Sequence, residues 1–227
     1  MSKPIMPSVG WGVLHLFCKR GPGADADGVT TAVKAATGDD HQVVPFAVLG
    51  HKADLGFLAI GPDLWRLRAL QTDLQAAGLE LADSYVSLTE LSEYSKGVPE
   101  AQRTARLRPV LPPEDKPVFC FYPMSKRRAV GQNWYALPYE ERLELMYAHG
   151  ASGRKFAGRI VQLVTGSTGL DDWEWGVSLF GTHIDDLKEC VYTMRFDEAS
   201  TTYAEFGPFY TGLVAPLSEV LVRAGLR

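Results

Sequence analysis

Cysteine is scarce: three in 227 residues, at positions 18, 120 and 190. So few, so far apart, exclude a disulfide-stapled scaffold, and no CxxC pair or Cys/His spacing suggests a zinc site. No stretch reaches the ~18 consecutive apolar residues that a membrane-spanning helix needs. The apolar run VGWGVLHLF continues into CKR, not into a small-residue cleavage site, so no signal peptide is expected and a cytoplasmic location is. Basic residues are not in excess either. Twenty-three Lys and Arg stand against 27 Asp and Glu, a formal net charge of -4, which excludes a nucleic-acid coat because such binding needs a broad cationic face. The patterns GxSxG, HExxH, GxGxxG and GxxxxGK[ST] are all missing, and five scattered histidines cannot be grouped by spacing.

What is present is enough apolar material, 46% of the chain, for one large core or two small ones. Strand-like runs WGVLHLFCK, HQVVPFAVLG, LGFLAIG and SYVSLTEL alternate with helical periods at DGVTTAVKAAT and DLWRLRALQTDLQAAG, giving the order βαββαβ over residues 1–98. Residues 99–116, where proline and charge replace the hydrophobic period, read as a linker. Residues 117–227 repeat the order with VFCFYPM, a helix from Pro138, RIVQLVTG, EWGVSLFG, a helix from HIDDLKECVYTMRF and FYTGLVAP. DLGFLAIGPDLWRLRALQTDL from Asp54 can be laid without a gap on EWGVSLFGTHIDDLKECVYTM from Glu174, pairing Gly56 with Gly176 and Gly61 with Gly181. The fold class expected is α+β: two fused ferredoxin-like modules forming a dimeric α+β barrel.

Chemistry concentrates in the second half. FYPMSKRRAVGQNWY places Lys126, Arg127 and Arg128 between aromatic clusters, a local cationic feature in an acidic chain. In the helix PYEERLELMYAHG, Glu140, Glu141 and Glu144 mark the wet side, and Leu145, Met146 and His149 fall on the inward face. Spacing alone leaves open whether His149 is a hydrogen-bonded core residue or a ligand. GASGRKFAG reads as a glycine-rich loop after that helix, which is the wrong order for a phosphate cradle.

The segments CFYPMSKRR, NWYALPYEER, LMYAHGASGRKFAG, QLVTGSTGLDDWEWGVSLF and VYTMRFDEASTTYAEFGPFYTG resemble the coproheme decarboxylases of the chlorite dismutase superfamily. The resemblance is dense from Pro117 to Gly212 and thinner before it, where SYVSLTELSEY and RTARLRPVLP match. It implies a homopentamer of two-module chains whose C-terminal module holds a porphyrin. It also implies the reaction, in which hydrogen peroxide drives two oxidative decarboxylations that turn iron coproporphyrin III (coproheme) into haem b. A flat apolar plate edged with four carboxylates needs aromatic walls rimmed by cations, and FYPMSKRR offers both. By the same resemblance His149 is the iron ligand, Tyr122 the redox tyrosine that takes a hydrogen from a propionate, and Lys126 the partner of the propionate that reacts second. Met124 lines the reactive edge, Arg106 and Arg108 belong to the rim, and Ser200 contacts a propionate. Arg127 and Arg128 are read as a solvated face.

Gln162 stands where chlorite dismutases carry arginine, and a neutral amide stabilises a developing oxyanion less than a guanidinium does. No histidine occurs between Ser84 and Tyr122, the interval where a distal histidine stands in actinobacterial-type decarboxylases. A chlorite dismutase-like or dye-decolourising haem peroxidase and a non-catalytic haem carrier are the alternatives. Tyr122 and Lys126 argue against the carrier, which needs only a ligand and a rim. A coproporphyrin ferrochelatase is an expected transient partner.

Overall fold

The computed structural model describes residues 3–226. Its first module runs β1 (Gly12–Arg20), α1 (Ala26–Ala36), β2 (Gln42–Leu49), β3 (Leu55–Gly61), α2 (Leu64–Ala76) and β4 (Leu79–Thr89). The linker contains α3 (Glu100–Leu107). The second module runs β5 (Val118–Lys126), a small hairpin of β6 (Arg128–Ala129) and β7 (Gln132–Asn133), a 3-10 turn at Trp134–Ala136, α4 (Tyr139–Arg154), β8 (Ile160–Gly166), β9 (Trp175–Gly181), α5 (Ile184–Met194), α6 (Glu198–Thr201), β10 (Ala204–Phe206), β11 (Tyr210–Val214) and α7 (Leu217–Arg223).

Both modules have the ferredoxin-like strand order, β2-β3-β1-β4 in the first and β8-β9-β5-β11 in the second. The two sheets join at both edges, β4 to β8 and β11 to β2, and so close into an antiparallel barrel. Closure removes the open sheet edges that an isolated module would expose. The gapless repeat read from sequence is structural: β3 and β9 begin at Leu55 and Trp175, and α2 and α5 at Leu64 and Ile184. β10 and β11 occupy the same side of β5 in succession, separated by Gly207. A Cβ on Gly207 would come within 2.7 Å of the Pro123 ring and 2.8 Å of Trp173, so glycine is required for the strand to cross there.

Strand pleating sorts the side chains into two cores. Phe17, Phe46, Phe119, Phe121 and Phe180 fill the barrel interior and are almost wholly buried, each worth about 1.5–3 kcal/mol of burial. Outside, α1 and α2 cover the first module, joined by Val220 and Leu221 of α7. The C-terminal helix therefore packs on the first module, delivered there by the β11–β2 ladder. Outside the second module, Val118, Cys120, Tyr122, Val177 and Leu179 pack with Leu187 of α5.

Several elements depart from the sequence reading. α3 forms inside the linker although none of its residues is buried; alanine, glutamine and arginine favour helix, and Arg103 pairs with Glu100 at 3.4 Å. α4 continues through the expected GASGR loop to Arg154. A side chain at Gly153 would meet Met194 of α5 only at 3.9 Å, an ordinary contact, so the helix runs through this glycine despite its poor helix propensity and no clash demands it. α6, β10 and the β6–β7 hairpin are too short to leave a period.

His15 lies inside the barrel, wholly buried, with Nε2 2.8 Å from Ser178 Oγ and its ring 4.1 Å from that of Phe121. Burial pulls its pKa from 6.5 to about 3. The unfolded chain therefore takes up a proton below about pH 6.5 that the folded chain refuses, and stability falls as pH drops, by at most about 1.4 kcal/mol per pH unit down to about pH 3. His15→Leu should flatten that acid limb in urea melts across this window. An unchanged slope would remove His15 as its cause.

Candidate functional site

On β8, β9 and β5 the side chains that face the helices form cross-strand rows. Gln162, Leu179 and Cys120 make one, Val164, Val177 and Tyr122 the next, and Met124 pairs with Trp175 and with Phe206 of β10. Four of the sequence-predicted residues, Tyr122, Met124, Lys126 and Gln162, thus project from one sheet face. Tyr122 is 9% exposed, stacked on Phe209 at 4.5 Å and edge-on to Phe206 at 5.8 Å. Burial raises its pKa well above the usual phenol value, reinforced by Cys120 and Cys190 and opposed by Arg195, so the hydroxyl is protonated at neutral pH. Gln162 is exposed.

Beside this shelf opens a cleft of about 690 Å³, lined by Arg127, Trp173, Arg195, Ser200, Phe206 and Phe209 among others. A smaller, more apolar cleft of about 350 Å³, bounded by Cys120, Leu187, Val191 and Tyr192, shares Arg195 and Phe209 with it. Aromatic walls and guanidinium groups therefore meet in one place. Arg127, expected on a solvated face, instead lines the larger cleft, held by Gln132 at 3.2 Å and Glu205 at 3.7 Å because the β6–β7 hairpin folds back over it. Arg195, not singled out in the sequence, lies 4.6 Å over the Phe206 ring. Arg128 is exposed as expected.

His149 lies on the last turns of α4, its side chain 29% exposed. Its Nδ1 donates to the Asp197 carboxylate, 3.1 Å from each oxygen. Among the described residues Nε2 has no hydrogen-bond partner, which leaves its lone pair available as a donor to a metal. Asp197 caps α6 by accepting from the Ser200 backbone at 3.1 Å, and the Ser200 hydroxyl donates to it at 3.3 Å. Burial acts to raise the Asp197 pKa, but the hydrogen bonds from His149 and Ser200 outweigh it and the net shift is downward. Asp197 is thus a fixed anion behind the imidazole. The sequence offered a signal for it, an Asp opening the short helix DEAST, but nothing to connect that cap to a histidine 48 residues earlier.

The other histidines have structural partners or none. His41 is locked between the Asp39 carbonyl and the Asp63 amide, and His183 stands at the N-cap position of α5 with no capping bond from its side chain. Among the described residues no group of three or more His, Cys, Asp or Glu could hold a bare metal ion. A porphyrin iron asks for only one such ligand from the protein.

Lys126 is 8% exposed, its Nζ donating to the Ala199 carbonyl at 2.7 Å and resting 4.1 Å over the Trp134 ring. Burial lowers its pKa to about 8 while Asp197 and Glu174 hold it up, so the ammonium is charged at neutral pH. Arg106 and Arg108 are exposed and line neither cleft. Arg106 donates to Ser95 at 2.9 Å, and Arg108 ends α3.

Fold and site together define a dimeric α+β barrel of two ferredoxin-like modules, with a carboxylate-backed histidine on a helix outside the second. The chain belongs to the chlorite dismutase family, whose sequence model matches residues 24–215. It is similar to a heme-binding protein from Thermus thermophilus, at 36% identity over 99% of this chain and 100% of that one, with a TM-score of 0.84. The chlorite dismutase of Candidatus Nitrospira defluvii in complex with imidazole has the same fold, at 19% identity, 96% coverage of each chain and a TM-score of 0.76.

Proposed function

We propose that the protein is a coproheme decarboxylase, which uses hydrogen peroxide to convert two propionates of iron coproporphyrin III to vinyl groups and so produces haem b. In each step one C–H bond and the bond to the carboxyl carbon break. Carbon dioxide leaves, and the two electrons released reduce one peroxide to water. The observation that carries the proposal is the placement of an oxidisable phenol, Tyr122, on the sheet face it shares with neutral Gln162, beside a cleft rimmed by Arg127 and Arg195. Membership of the chlorite dismutase family and the similarity to a heme-binding protein support it.

In this reading coproheme is the substrate, and its iron is held by Nε2 of His149. Asp197 fixes the ring's tautomer through Nδ1 and makes the imidazole a stronger donor. Tyr122 would pass an electron to the peroxide-derived oxidant and its phenolic proton to water in the adjoining cleft, then take a hydrogen atom from the propionate β-carbon. The carbon radical left behind would give the second electron to the same oxidant as carbon dioxide leaves. Its apolar surroundings keep the proton in place until the electron is removed. Arg127, Arg195 and Ser200 line the place where carboxylates would be held, and Phe206 and Phe209 offer the flat apolar wall. Lys126 enters as the partner of the second reacting propionate, Met124 as the edge-lining side chain, and Arg106 and Arg108 as rim cations. A homopentameric assembly, whose mass light scattering would read, a cytoplasmic location and hand-over from a coproporphyrin ferrochelatase complete the proposal. Among the described residues no helix is long and apolar enough to cross a membrane.

The test is stepwise addition of peroxide to the coproheme-loaded protein, followed by mass spectrometry of the porphyrin. Successive loss of two carboxyl groups is expected. A porphyrin that keeps all four while peroxide or chlorite is consumed would make the protein a peroxidase or a chlorite dismutase.

A further inference from the structure

Trp134 is 3% exposed and packs with Ala199, two residues from the Asp197 that backs His149. From it, oxidisable rings run outward. Tyr203 is 5.5 Å away and Tyr94 6.5 Å, and Tyr94 stacks on Tyr139 at 5.9 Å, both of these outer tyrosines being part-exposed. Spacings of this size permit an electron to hop from ring to ring. Tyr94 also has somewhere to send its proton, since it is part-exposed to solvent. A site that consumes peroxide thus has beside it a route along which oxidising equivalents could drain to the surface.

Along the line Trp134, Tyr94 and Tyr139 each ring carries a cation. Lys126 Nζ lies 4.1 Å over Trp134, Arg142 Nε donates to the Tyr94 hydroxyl at 3.1 Å, and Lys96 and Arg142 lie 5.1 and 5.8 Å over Tyr139. A positive charge over a π face stabilises the neutral ring and destabilises the ring that has lost an electron. Lys126 is the nearest of these cations to its ring and, being buried, the least screened by solvent. We infer that the Lys126 ammonium is an electrostatic guard over Trp134, raising the cost of removing its electron and so keeping oxidising equivalents from entering the Trp134–Tyr94–Tyr139 chain. Its biological sense rests on the peroxide-dependent reading above. Its physics does not, because any one-electron oxidant must meet the same barrier. When the guard is removed, Trp134 gives one electron to the oxidant. Tyr94 then refills it with an electron and passes its phenolic proton to solvent.

The experiment uses the full chain without porphyrin and a photogenerated one-electron metal-complex oxidant. Transient absorption separates indolyl from phenoxyl radicals, and peptide mass spectrometry locates oxidised Trp134. Subtracting the Trp134→Phe signal removes the contribution of Trp11, Trp65, Trp173 and Trp175. Lys126→Gln drops the charge but retains an N–H for the Ala199 carbonyl, and should raise Trp134 oxidation about tenfold, with phenoxyl signal appearing at Tyr94 or Tyr139. Lys126→Arg keeps the charge and should match the wild type. If Lys126→Gln does not fold, raising the wild type to about pH 9.5 neutralises Lys126 opposite the two carboxylates that face it, Asp197 and Glu174, and the same rise is expected. No rise on loss of the charge would overturn the inference, since those two carboxylates would then already cancel it at the ring. A chain that guards Trp134 yet leaves coproheme intact would overturn only the proposed activity.

Discussion

His149→Ala should bind iron coproporphyrin at least about tenfold more weakly than the wild type, and the bound porphyrin should show an altered Soret band and spin state. The alanine removes the one side chain, among the described residues, in which a free ring nitrogen is combined with a fixed anion behind it. Added imidazole should restore the spectrum, a rescue that damaged folding would not permit. Asp197→Asn separates the two roles of the carboxylate. Asparagine still caps α6 and still accepts from Nδ1, so the fold should hold, but the imidazole loses its negative partner and should bind about 10–100-fold more weakly. Unchanged spectra in His149→Ala would place the iron ligand elsewhere. An Asp197→Asn protein with wild-type affinity would reduce that contact to a helix cap.

Long periodic elements and the repeat were legible because each is written in consecutive residues. The two modules, their order and the correspondence of β3 with β9 rest mostly on strands of seven residues or more with apolar faces, the five-residue β11 being the exception. α3 was not legible, because a helix that buries nothing leaves no hydrophobic period. The last turn of α4 was hidden by Gly150 and Gly153, whose local preference against helix is overridden by the packing of α4 as a whole on α5 and α6. At the site, sequence placed Tyr122, Met124, Lys126 and Gln162 on the second module, and alternation on β5 and β8 brings them to one face. It could not supply Asp197 as the partner of His149, nor Arg195 in the cleft, since both depend on how α6 and the end of α5 lie against α4. It misread Arg127 because a run of three cations looks solvated until the hairpin that folds one of them inward is seen. Lys126 was read as reaching for a carboxylate, and the structure adds that its ammonium is held by Ala199 and Trp134.

Tyr122→Phe should bind coproheme with near-normal affinity and make no haem b. The ring's contacts are with Phe206 and Phe209, and phenylalanine keeps all of them. Loss of the hydroxyl should change stability by about 0.5–1.5 kcal/mol at most, the worth of one hydrogen bond. Chemistry is a different matter. A phenol can lose an electron and a proton to become a neutral radical, whereas a phenyl ring has no such proton, so the substitution removes the hydrogen-accepting step itself. Peroxide should still be consumed and the porphyrin bleached, but neither the three-propionate intermediate nor haem b should accumulate. Product formation above roughly a tenth of the wild-type rate, a barrier change of less than about 1.4 kcal/mol, would show that Tyr122 is not the obligatory relay. In that event Tyr135 becomes the residue to test. It is 48% exposed, so its phenolic proton can leave to solvent. The double variant Tyr122→Phe with Tyr135→Phe would then be the one to lose all haem b.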